Sequence, residues 1–599
     1  MVFLDTETYL IEPGRAAPRV VCIQVQHDAA PPAIYRARDS NTESILAKLL
    51  TSDDGIVGHN IAYDFACIAA TWPKLIPLIW SKYDRDLVCD TMIAQQVLDI
   101  GYSGGFVGRY SLAALSERFL GIKLDKGGDT YRLRYSELDD VPLGEWPQAA
   151  LDYALGDVTT TAAIWHEVSK HGIGHTTGHQ VRVAFALHLA TVWGMSTDVD
   201  AVNALDSALS DRVECLAPLL RFEGILHGDS VKLSRVRELL AEDAAATGAK
   251  LKLTPTGAIC TDADALRAGK SKPLLALAEY RETTKVLSTY MPILRAGTSS
   301  RIHPRYKVCV ESGRTSSMDP NIQNLPRTGG VRECFVASPG FSYVAADYSM
   351  AELVGLAQVT SMLVPPSRMA EELRAGRELH IVTAASILGI EYEEAMERYL
   401  AGDSDVAAAR QLAKGLNFGI PGGLGPARLV ELLANYGITI TLERSRDLRS
   451  LWLHKLYPEV KRYHNMVGAV GGEMVISHPS TSFRRAGMNF CSAANFYFQH
   501  ICAYGAKEAV YAVQRACFFP GPLYGCRLVA FIHDELIVEV PHGCEHEAAQ
   551  ELQRIMVREF SKVTPEVPIA VEAHAMFRWS KKAKARYDAF GRLVPWVAG

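Results

Sequence analysis

The sequence predicts a multidomain α/β protein. The chain has 599 residues, and at roughly 150 residues per domain this length suggests about four domains. β-Branched and aromatic runs typical of strands occur at residues 3–8 and 20–26. Helical periodicity follows at residues 91–98 and 112–119. With 48% hydrophobic and 22% charged residues, the composition is that of a globular protein with buried cores.

The remaining elements are predicted in chain order. A Gly- and His-rich segment at residues 169–180 ends the N-terminal α/β region and is interpreted as a linker. A mainly helical region then extends to about residue 300, with a Gly/Pro-containing break at 254–262. Beyond it, a long helical middle is predicted at residues 370–470. Strand-like runs flank it at residues 342–346, 528–532 and 536–540.

Bulk properties exclude several classes of protein. No apolar run approaches the roughly 20 residues that span a bilayer, and the start of the chain lacks a basic leader. We therefore expect a cytoplasmic protein without a membrane partner. The twelve cysteines contain no CxxC pair and are expected to be buried free thiols. In the linker, His171, His175 and His179 lie four apart, but intervening glycines argue against a helical metal site.

A first set of acidic residues lies in the N-terminal region. Asp5 and Glu7 are two apart in a predicted strand, so both side chains face the same way. Asp64 follows in HNIAYD, and Tyr153 precedes Asp157 by four residues in DYALGD, one helical turn. Carboxylates in such an arrangement can hold two cations that orient a water and stabilise a leaving oxygen.

These three segments resemble the Exo I, Exo II and Exo III motifs of the proofreading 3′–5′ exonucleases, which have a ribonuclease-H-like fold. The resemblance implies that Asp5, Glu7, Asp64 and Asp157 are metal ligands. It also implies that Tyr153 positions the attacking water and that this nuclease is active.

A second set of residues lies in the C-terminal half. Asp347 directly follows the strand-like run at residues 342–346, and Asp534 is predicted to lie at the tip of a hairpin. Arg410, Lys414 and Phe418 are four residues apart and share one helical stripe. Two cations on that stripe could hold a triphosphate and neutralise charge as pyrophosphate leaves.

Residues 314–326 (RTSSMDPNIQNLP) and the segments DYSMAEL, RQLAKGLNFG and FIHDEL resemble the signatures of the family A DNA polymerases. The resemblance implies metal binding by Asp347, Asp534 and the Tyr348 carbonyl. It implies nucleotide binding by Glu352, His380, Arg410, Lys414 and Phe418, of which His380, Arg410 and Lys414 act in catalysis with the two aspartates. It implies DNA contacts by Arg314, Asn321, Gln323, Asn324, Asn495, Gln499 and His533.

The resemblance covers nearly the whole chain and implies a right-hand polymerase after the exonuclease, with an antiparallel-sheet palm and helical fingers and thumb. We expect the exonuclease at residues 1–175, the thumb at 181–300, the palm at 301–369 and 471–599, and the fingers at 370–470. Implied ligands are primer–template DNA, deoxynucleoside triphosphates and two Mg²⁺ per active site, with Mn²⁺ as a substitute. The compact form predicts a monomeric phage replicative polymerase, whose helicase–primase or processivity partners cannot be read from the sequence.

Two positions depart from the family pattern. Gly422 stands where a tyrosine that stacks near the templating base is expected, and the PGG sequence at 421–423 should end the helix early. Cys491 stands where an arginine is common.

Three alternative functions are a single-subunit RNA polymerase, a nuclease whose polymerase half only binds DNA, and a non-enzymatic binding protein. Glu352, Phe418 and the attached exonuclease argue against the first, and the complete set of Asp347, Lys414 and Asp534 argues against the second. Clustered carboxylates argue against the third, because like charges held together normally mark a metal site.

Overall fold

The computed structural model describes residues 1–599 except residues 126, 128–130, 173–174, 249, 255, 328, 471–473 and 598–599, and except the side chains of 175 and 176. The N-terminal region is built on one five-stranded sheet in the order β3-β2-β1-β4-β5. Its strands are β1 (Val2–Thr8), β2 (Val20–His27), β3 (Ala33–Arg36), β4 (Ile56–Gly58) and β5 (Val88–Asp90). Strands β1 to β3 pair antiparallel, and β1, β4 and β5 pair parallel.

Helices cover this sheet, which confirms the α/β prediction for the N-terminal region. They are α1 (Thr42–Thr51), α2 (Ile61–Thr71), α3 (Ile76–Asp84), α4 (Thr91–Ser103), α5 (Leu112–Leu120) and α6 (Gln148–Ser169). The central strand β1 is largely buried because α6 and α2 both contact it. The sheet therefore holds the side chains of β1 in fixed directions toward these two helices.

A helical region follows, as predicted. It contains α7 (His175–Trp193), α8 (Val199–Phe222), α9 (Leu233–Thr247), α10 (Ala263–Ala268), α11 (Lys272–Lys285) and α12 (Met291–Ser299), with short strands β6 (Ser196–Thr197), β7 (Leu226–His227) and β8 (Ser230–Val231). The predicted break at residues 254–262 separates α9 from α10, although residue 255 lies outside the described residues.

The linker prediction for residues 169–180 is wrong in its second half, because α7 begins at His175. The His179 ring is buried and stacks on Tyr504 at 3.8 Å between centroids, and its Nε2 lies 3.1 Å from Glu508. These tertiary contacts outweigh the local effect of glycine. The side chain of His175, the middle member of the His171, His175 and His179 set, lies outside the described residues.

The C-terminal half is organised around a four-stranded antiparallel sheet in the order β15-β16-β12-β17. The strands of the whole C-terminal half are β9 (Arg305–Lys307), β10 (Ser316–Met318), β11 (Phe335–Val336), β12 (Phe341–Ser349), β13 (Met474–Ser477), β14 (Arg484–Met488), β15 (Arg527–Ile532), β16 (Glu535–Pro541), β17 (Ala570–Met576), β18 (Arg586–Tyr587) and β19 (Leu593–Val594). The predicted strand runs fall within β12, β15 and β16.

The predicted helical middle at residues 370–470 is also confirmed. The helices of this half are α13 (Ala351–Leu363), α14 (Arg368–Arg374), α15 (Leu379–Leu388), α16 (Tyr392–Leu400), α17 (Ser404–Gly419), α18 (Pro426–Asn435), α19 (Leu442–Leu451), α20 (Pro458–Ala469), α21 (Phe490–Ala516) and α22 (Glu545–Ser561). A π-helical turn at Trp452–Leu456 joins α19 to the segment before α20.

One hydrophobic core extends from the N-terminal sheet through α7 into α21 and the C-terminal sheet. Polar contacts reinforce this junction. The Tyr511 hydroxyl and the Arg515 guanidinium on α21 both donate to Asp84 at 2.8 Å, and Arg182 on α7 pairs with Glu508. The two halves of the chain are therefore packed against each other rather than tethered.

All twelve cysteines are free, as predicted, but the prediction that they are buried is wrong for Cys215, Cys491 and Cys544, which are exposed. Among the described residues, no helix combines the length and the apolar character that crossing a bilayer requires.

The close crossing of α13 and α21 gives a stability prediction. A Cβ atom on Gly355 would lie 2.5 Å from Cys502 Sγ and 3.0 Å from the Phe498 carbonyl oxygen. We expect Gly355→Ala to lower the free energy of unfolding by about 1–3 kcal/mol, the usual cost of overpacking. The matched control is Gly156→Ala on α6, where a Cβ would meet no atom within 4 Å and alanine should stabilise by up to about 1 kcal/mol. Thermal unfolding measures both, and equal effects would contradict this packing.

Candidate active sites

Three carboxylates of the N-terminal region meet at one point. Asp5 and Glu7 share a face of β1, and Asp157 approaches them from α6, so that ligand oxygens of all three lie within 4.8 Å of one another. Tyr153 lies one turn before Asp157, and burial followed by the charge of Asp157 raises the pKa of its phenol. The phenol is therefore protonated at neutral pH and can donate a hydrogen bond near the cluster.

Asp64, the fourth predicted ligand, lies outside this cluster. It is buried on α2 and accepts a 2.6 Å hydrogen bond from the Thr6 hydroxyl, on the opposite face of β1 from Asp5 and Glu7. Burial raises the pKa of Asp64 to about 7, and the nearby carboxylate of Asp90 adds to the increase. Metal binding by Asp64 stays a prediction.

The motif-based prediction omits Asp90, which organises this part of the site. Its two carboxylate oxygens accept hydrogen bonds from the Ile61 and Ile93 amides, each at 3.0 Å. One buried side chain thus caps the N-terminal turns of both α2 and α4. The available sequence signal is an aspartate directly before a periodic helix.

The C-terminal sheet brings a second group of carboxylates together. Asp347 on β12 pairs in register with Glu535 on β16, and Asp534 occupies the predicted two-residue turn between β15 and β16. His533 in that turn adopts the left-handed backbone conformation, with φ of 60°. Burial and then the charge of Asp347 raise the pKa of Asp534 to about 7. The two aspartates are therefore close enough to repel each other.

A lysine near the end of the chain offsets this repulsion. Lys581 Nζ lies 2.7 Å from Glu535 and 3.4 Å from Asp347 Oδ2. The other oxygen of Asp347, Oδ1, is buried and has no hydrogen-bond partner among the described residues. Since Lys581 lies 234 residues from Asp347, no local sequence pattern indicates this contact.

The predicted basic stripe lies on α17, opposite α15. Arg410 Nε donates to Glu378 at 2.9 Å, and the same glutamate caps α15 at the His380 amide. Burial and then the charge of Arg410 lower the pKa of Lys414. His380 and Phe418 lie side by side, with ring centroids 5.9 Å apart. The structure thus groups the four predicted nucleotide-binding residues of the helical middle and adds Glu378, which orients Arg410.

A buried asparagine fixes the protonation of His380. The Asn417 amide nitrogen donates to His380 Nδ1 at 2.9 Å, so neutral His380 carries its proton on Nε2. Burial lowers the pKa of His380 to about 4, which makes the ring neutral at pH 7. The Asn417 oxygen accepts from Trp452 Nε1 and the Thr383 hydroxyl, so its amide orientation is fixed.

A cavity of about 500 Å³ joins the two groups of residues. Asp534 and Glu352 line it, together with His380 and Phe418 from the helical middle. Its size is within the range of small-molecule sites. Glu352 forms an ion pair with Arg314, which also lines the cavity.

Two residues of the loop at 314–326 for which DNA contacts are predicted, Asn321 and Gln323, also form internal hydrogen bonds, and their DNA contacts stay predictions. The Gln323 side chain is 6% exposed and bonds internally to Ser317, Thr315 and the Phe531 carbonyl. The Asn321 oxygen accepts from the Ser317 hydroxyl and two backbone amides. The Gln323 side chain therefore holds the loop against β15, and Arg314 at the start of the loop lines the cavity. Asn324 is exposed, and its DNA contact stays a prediction.

The structure explains Gly422 and confirms the early end of the motif helix. Helix α17 ends at Gly419, and a Cβ on Gly422 would lie 2.5 Å from the Asn495 amide. The next residue, Gly423, has a positive φ of 83° and faces the Phe490 ring. A tyrosine would not fit at 422 without displacing Asn495. Asn495 bonds to the Cys491 carbonyl and to Gln499, so the three residues form one ridge of α21.

Both clusters fit divalent cations by their chemistry. Their donors are carboxylate oxygens, which hard cations such as Mg²⁺ prefer. The unpartnered Oδ1 of Asp347 and the mutual approach of Asp5, Glu7 and Asp157 are costly unless positive charge is present.

These features define a phosphoryl-transfer protein with two acidic centres, one on a ribonuclease-H-like sheet and one in a right-hand polymerase fold. The family model of DNA polymerase family A matches residues 232–581, and that of the 3′–5′ exonuclease matches residues 1–172. The chain therefore belongs to DNA polymerase family A, and it is a DNA-directed DNA polymerase with a 3′–5′ exonuclease domain.

Relatives support this assignment over most of the chain. DNA polymerase I of Aquifex aeolicus (strain VF5) is 26% identical over 612 residues, covering 97% of this chain and 96% of the relative. The thermostable DNA polymerase I of Thermus aquaticus is 28% identical over 449 residues, covering 72% of this chain and 51% of the relative. The chain thus spans nearly all of the first relative and about half of the second.

A solved structure has the same fold. The POL domain of Pol1 from M. smegmatis, in complex with DNA primer-template and dNTP, superposes with a TM-score of 0.70 at 20% identity. The match covers 96% of this chain and 95% of that one. The right-hand polymerase and exonuclease fold class is therefore confirmed.

The buried bond between Asn417 and His380 gives a prediction for nucleotide binding. We expect Asn417→Leu to raise the KM for dNTP about tenfold, because a hydrogen bond that fixes the ring is worth roughly 1–1.5 kcal/mol. The ¹⁵N resonances of the His380 ring should shift toward the other tautomer. Exonuclease activity serves as the folding control and should not change. An unchanged KM and ¹⁵N spectrum would contradict a positioning role for Asn417.

Proposed function

We propose that the chain carries out template-directed DNA synthesis by a two-metal mechanism and removes mispaired primer ends with its exonuclease. The observation that supports this proposal is the shared cavity, which is lined by Asp534, His380 and Phe418. The proposed ligands are primer–template DNA, deoxynucleoside triphosphates and Mg²⁺, two ions per site, with Mn²⁺ as a substitute.

In the polymerase site, Asp347, Asp534 and the Tyr348 carbonyl would hold the cations. Bound cations would lower the pKa of the primer 3′-hydroxyl and neutralise charge on the triphosphate. Arg410 and Lys414 would bind the phosphates, and His380, with its proton on Nε2, would donate a hydrogen bond to them. Glu378 keeps Arg410 oriented toward this stripe.

Selection of deoxynucleotides is proposed to be steric. Glu352 and Phe418 line the same cavity, and Phe418 is half exposed there, ready to pack on a sugar. The ion pair with Arg314 would hold the Glu352 side chain where a ribose 2′-hydroxyl would strike it. This arrangement favours a DNA polymerase over the RNA polymerase alternative.

In the exonuclease site, Asp5, Glu7 and Asp157 would hold cations, with Asp64 as a further ligand. Tyr153 would donate a hydrogen bond that aligns the attacking water. The proposal is supported by the approach of three carboxylates to within 4.8 Å and by a phenol that stays protonated beside them.

The domain division is also a proposal: exonuclease at residues 1–175, thumb at 181–300, palm at 301–369 and 471–599, and fingers at 370–470. It is supported by the sheet and helix boundaries. DNA contacts are proposed for Arg314, Asn321, Gln323, Asn324, Asn495, Gln499 and His533. The phage replicative role stays a prediction, because the relatives named above are bacterial proteins. The monomeric state also stays a prediction.

The polymerase assignment predicts a selective loss of synthesis. We expect Asp534→Ala to reduce primer extension in Mg²⁺ by about a thousandfold or more, since metal stabilisation is worth several kcal/mol. Shortening of the same labelled primer without dNTPs should remain at the wild-type rate. Retained extension would remove Asp534 from the active site.

The exonuclease assignment predicts the reverse pattern. We expect Asp5→Ala to abolish shortening of the primer and to spare extension, because Asp5 is a ligand only in the N-terminal cluster. The two variants serve as controls for each other on one gel. Loss of both activities in the Asp5 variant would show that the two sites are not separable.

A further inference from the structure

The chain continues past the palm sheet into a hairpin that the family match does not include. The matched region ends at residue 581, and the hairpin strands β18 and β19 follow at residues 586–594. It is fastened to the sheet: the Trp596 amide donates to the Ala575 carbonyl at 2.7 Å, and Leu593 is buried. The hairpin is thus packed against the palm sheet and held by a backbone hydrogen bond.

The tip of the hairpin holds aromatic rings in solvent. The Asp588 carboxylate accepts hydrogen bonds from the Phe590 and Arg592 amides at 2.8 and 2.9 Å, which fixes the turn. In that turn Phe590 is 90% exposed, and neighbouring Tyr587 is 59% exposed. Single exposed rings are ordinary on protein surfaces, so the rings alone indicate no partner.

The same segment carries uncompensated positive charge. Residues 578–592 contain six Lys and Arg and a single acidic residue, in a chain whose net charge is −5. Three of the six have carboxylate partners: Arg578 with Asp198, Lys581 with Asp347 and Glu535, and Arg592 with Glu547. Among the described residues, no ion pair is formed by the exposed side chains of Lys582, Lys584 and Arg586.

This surface begins beside the polymerase carboxylates. Lys582 directly follows Lys581, whose Nζ touches Asp347. Lys582 and Arg578 line a cavity of about 540 Å³ together with Arg327, and Arg327 also lines the polymerase cavity. A polyanion leaving the active site would therefore pass from one group of cations to the next.

We propose that this C-terminal hairpin surface, formed by Lys582, Lys584, Arg586, Tyr587 and Phe590, binds single-stranded DNA beside the polymerase site. Free cations would contact the phosphates, and the rings would stack on bases, which is the combination that single strands require. Duplex DNA keeps its bases stacked internally and offers nothing to Phe590. The inference rests on the proposed polymerase function, because the strand would be part of its primer–template.

The test is equilibrium binding of the full chain to a fluorescein-labelled (dT)₁₂ strand and to a blunt duplex, measured by anisotropy in EDTA so that no strand is degraded. We expect Lys582→Ala/Lys584→Ala to weaken binding of the single strand and to reduce the slope of log K against log salt by about 1.4, or 0.7 per phosphate contact. The control Lys48→Ala/Lys74→Ala removes the same charge from exposed lysines of the N-terminal region and should leave both quantities unchanged.

Ring substitutions separate stacking from general hydrophobic contact. We expect Phe590→Leu to weaken (dT)₁₂ binding by about fivefold or more and Phe590→Trp to retain it, since only an aromatic ring stacks on a base. Equal binding by the leucine and wild-type proteins, or equal losses on the blunt duplex, would overturn the inference. Circular dichroism confirms that each variant is folded.

Primer extension by the same proteins separates a failure of the hairpin inference from a failure of the proposed polymerase function. If the wild-type chain extends primers and the hairpin variants bind (dT)₁₂ as tightly as wild type, the hairpin inference is wrong and the polymerase function stands. If the wild-type chain binds (dT)₁₂ through the hairpin but extends nothing, the polymerase function is wrong.

Discussion

The structure depends on holding like charges together at the edge of a sheet. Strand pairing of β12 with β16 sets Asp347 opposite Glu535, and the tight turn places Asp534 beside them. The backbone hydrogen bonds and the buried apolar faces of these strands must offset this repulsion. Within the described residues, Lys581 supplies the nearest positive charge. Such a strained arrangement is retained where a cation is to be bound.

The N-terminal site also holds carboxylates close together, but with a strand and a helix. There, strand alternation sets Asp5 and Glu7 on one face, and a helix crossing that face adds Asp157. The side chain between them, Thr6, points to the other face and holds Asp64. Two unrelated sheets thus create acidic centres through the same property, the fixed direction of side chains along a strand.

Sequence patterns predicted the parts of the fold and site that depend on local spacing. The strands that carry Asp5 and Asp347, the hairpin turn at His533 and the early end of α17 are all local features, and the structure confirms them. Contacts between distant segments could not be predicted in this way. Lys581 contacts Asp347 across 234 residues, and Gln323 bonds to the Phe531 carbonyl across 208 residues. The start of α7 was missed because contacts with Tyr504 and Glu508 outweigh the glycines.

We propose that Asp347 and Asp534 form one cation site. Anomalous X-ray diffraction from crystals soaked in Mn²⁺ would locate the ion. We expect a manganese peak within coordination distance, about 2–2.5 Å, of oxygens from both carboxylates. A peak bound to only one of them, or no peak between β12 and the turn after β15 at saturating Mn²⁺, would contradict it.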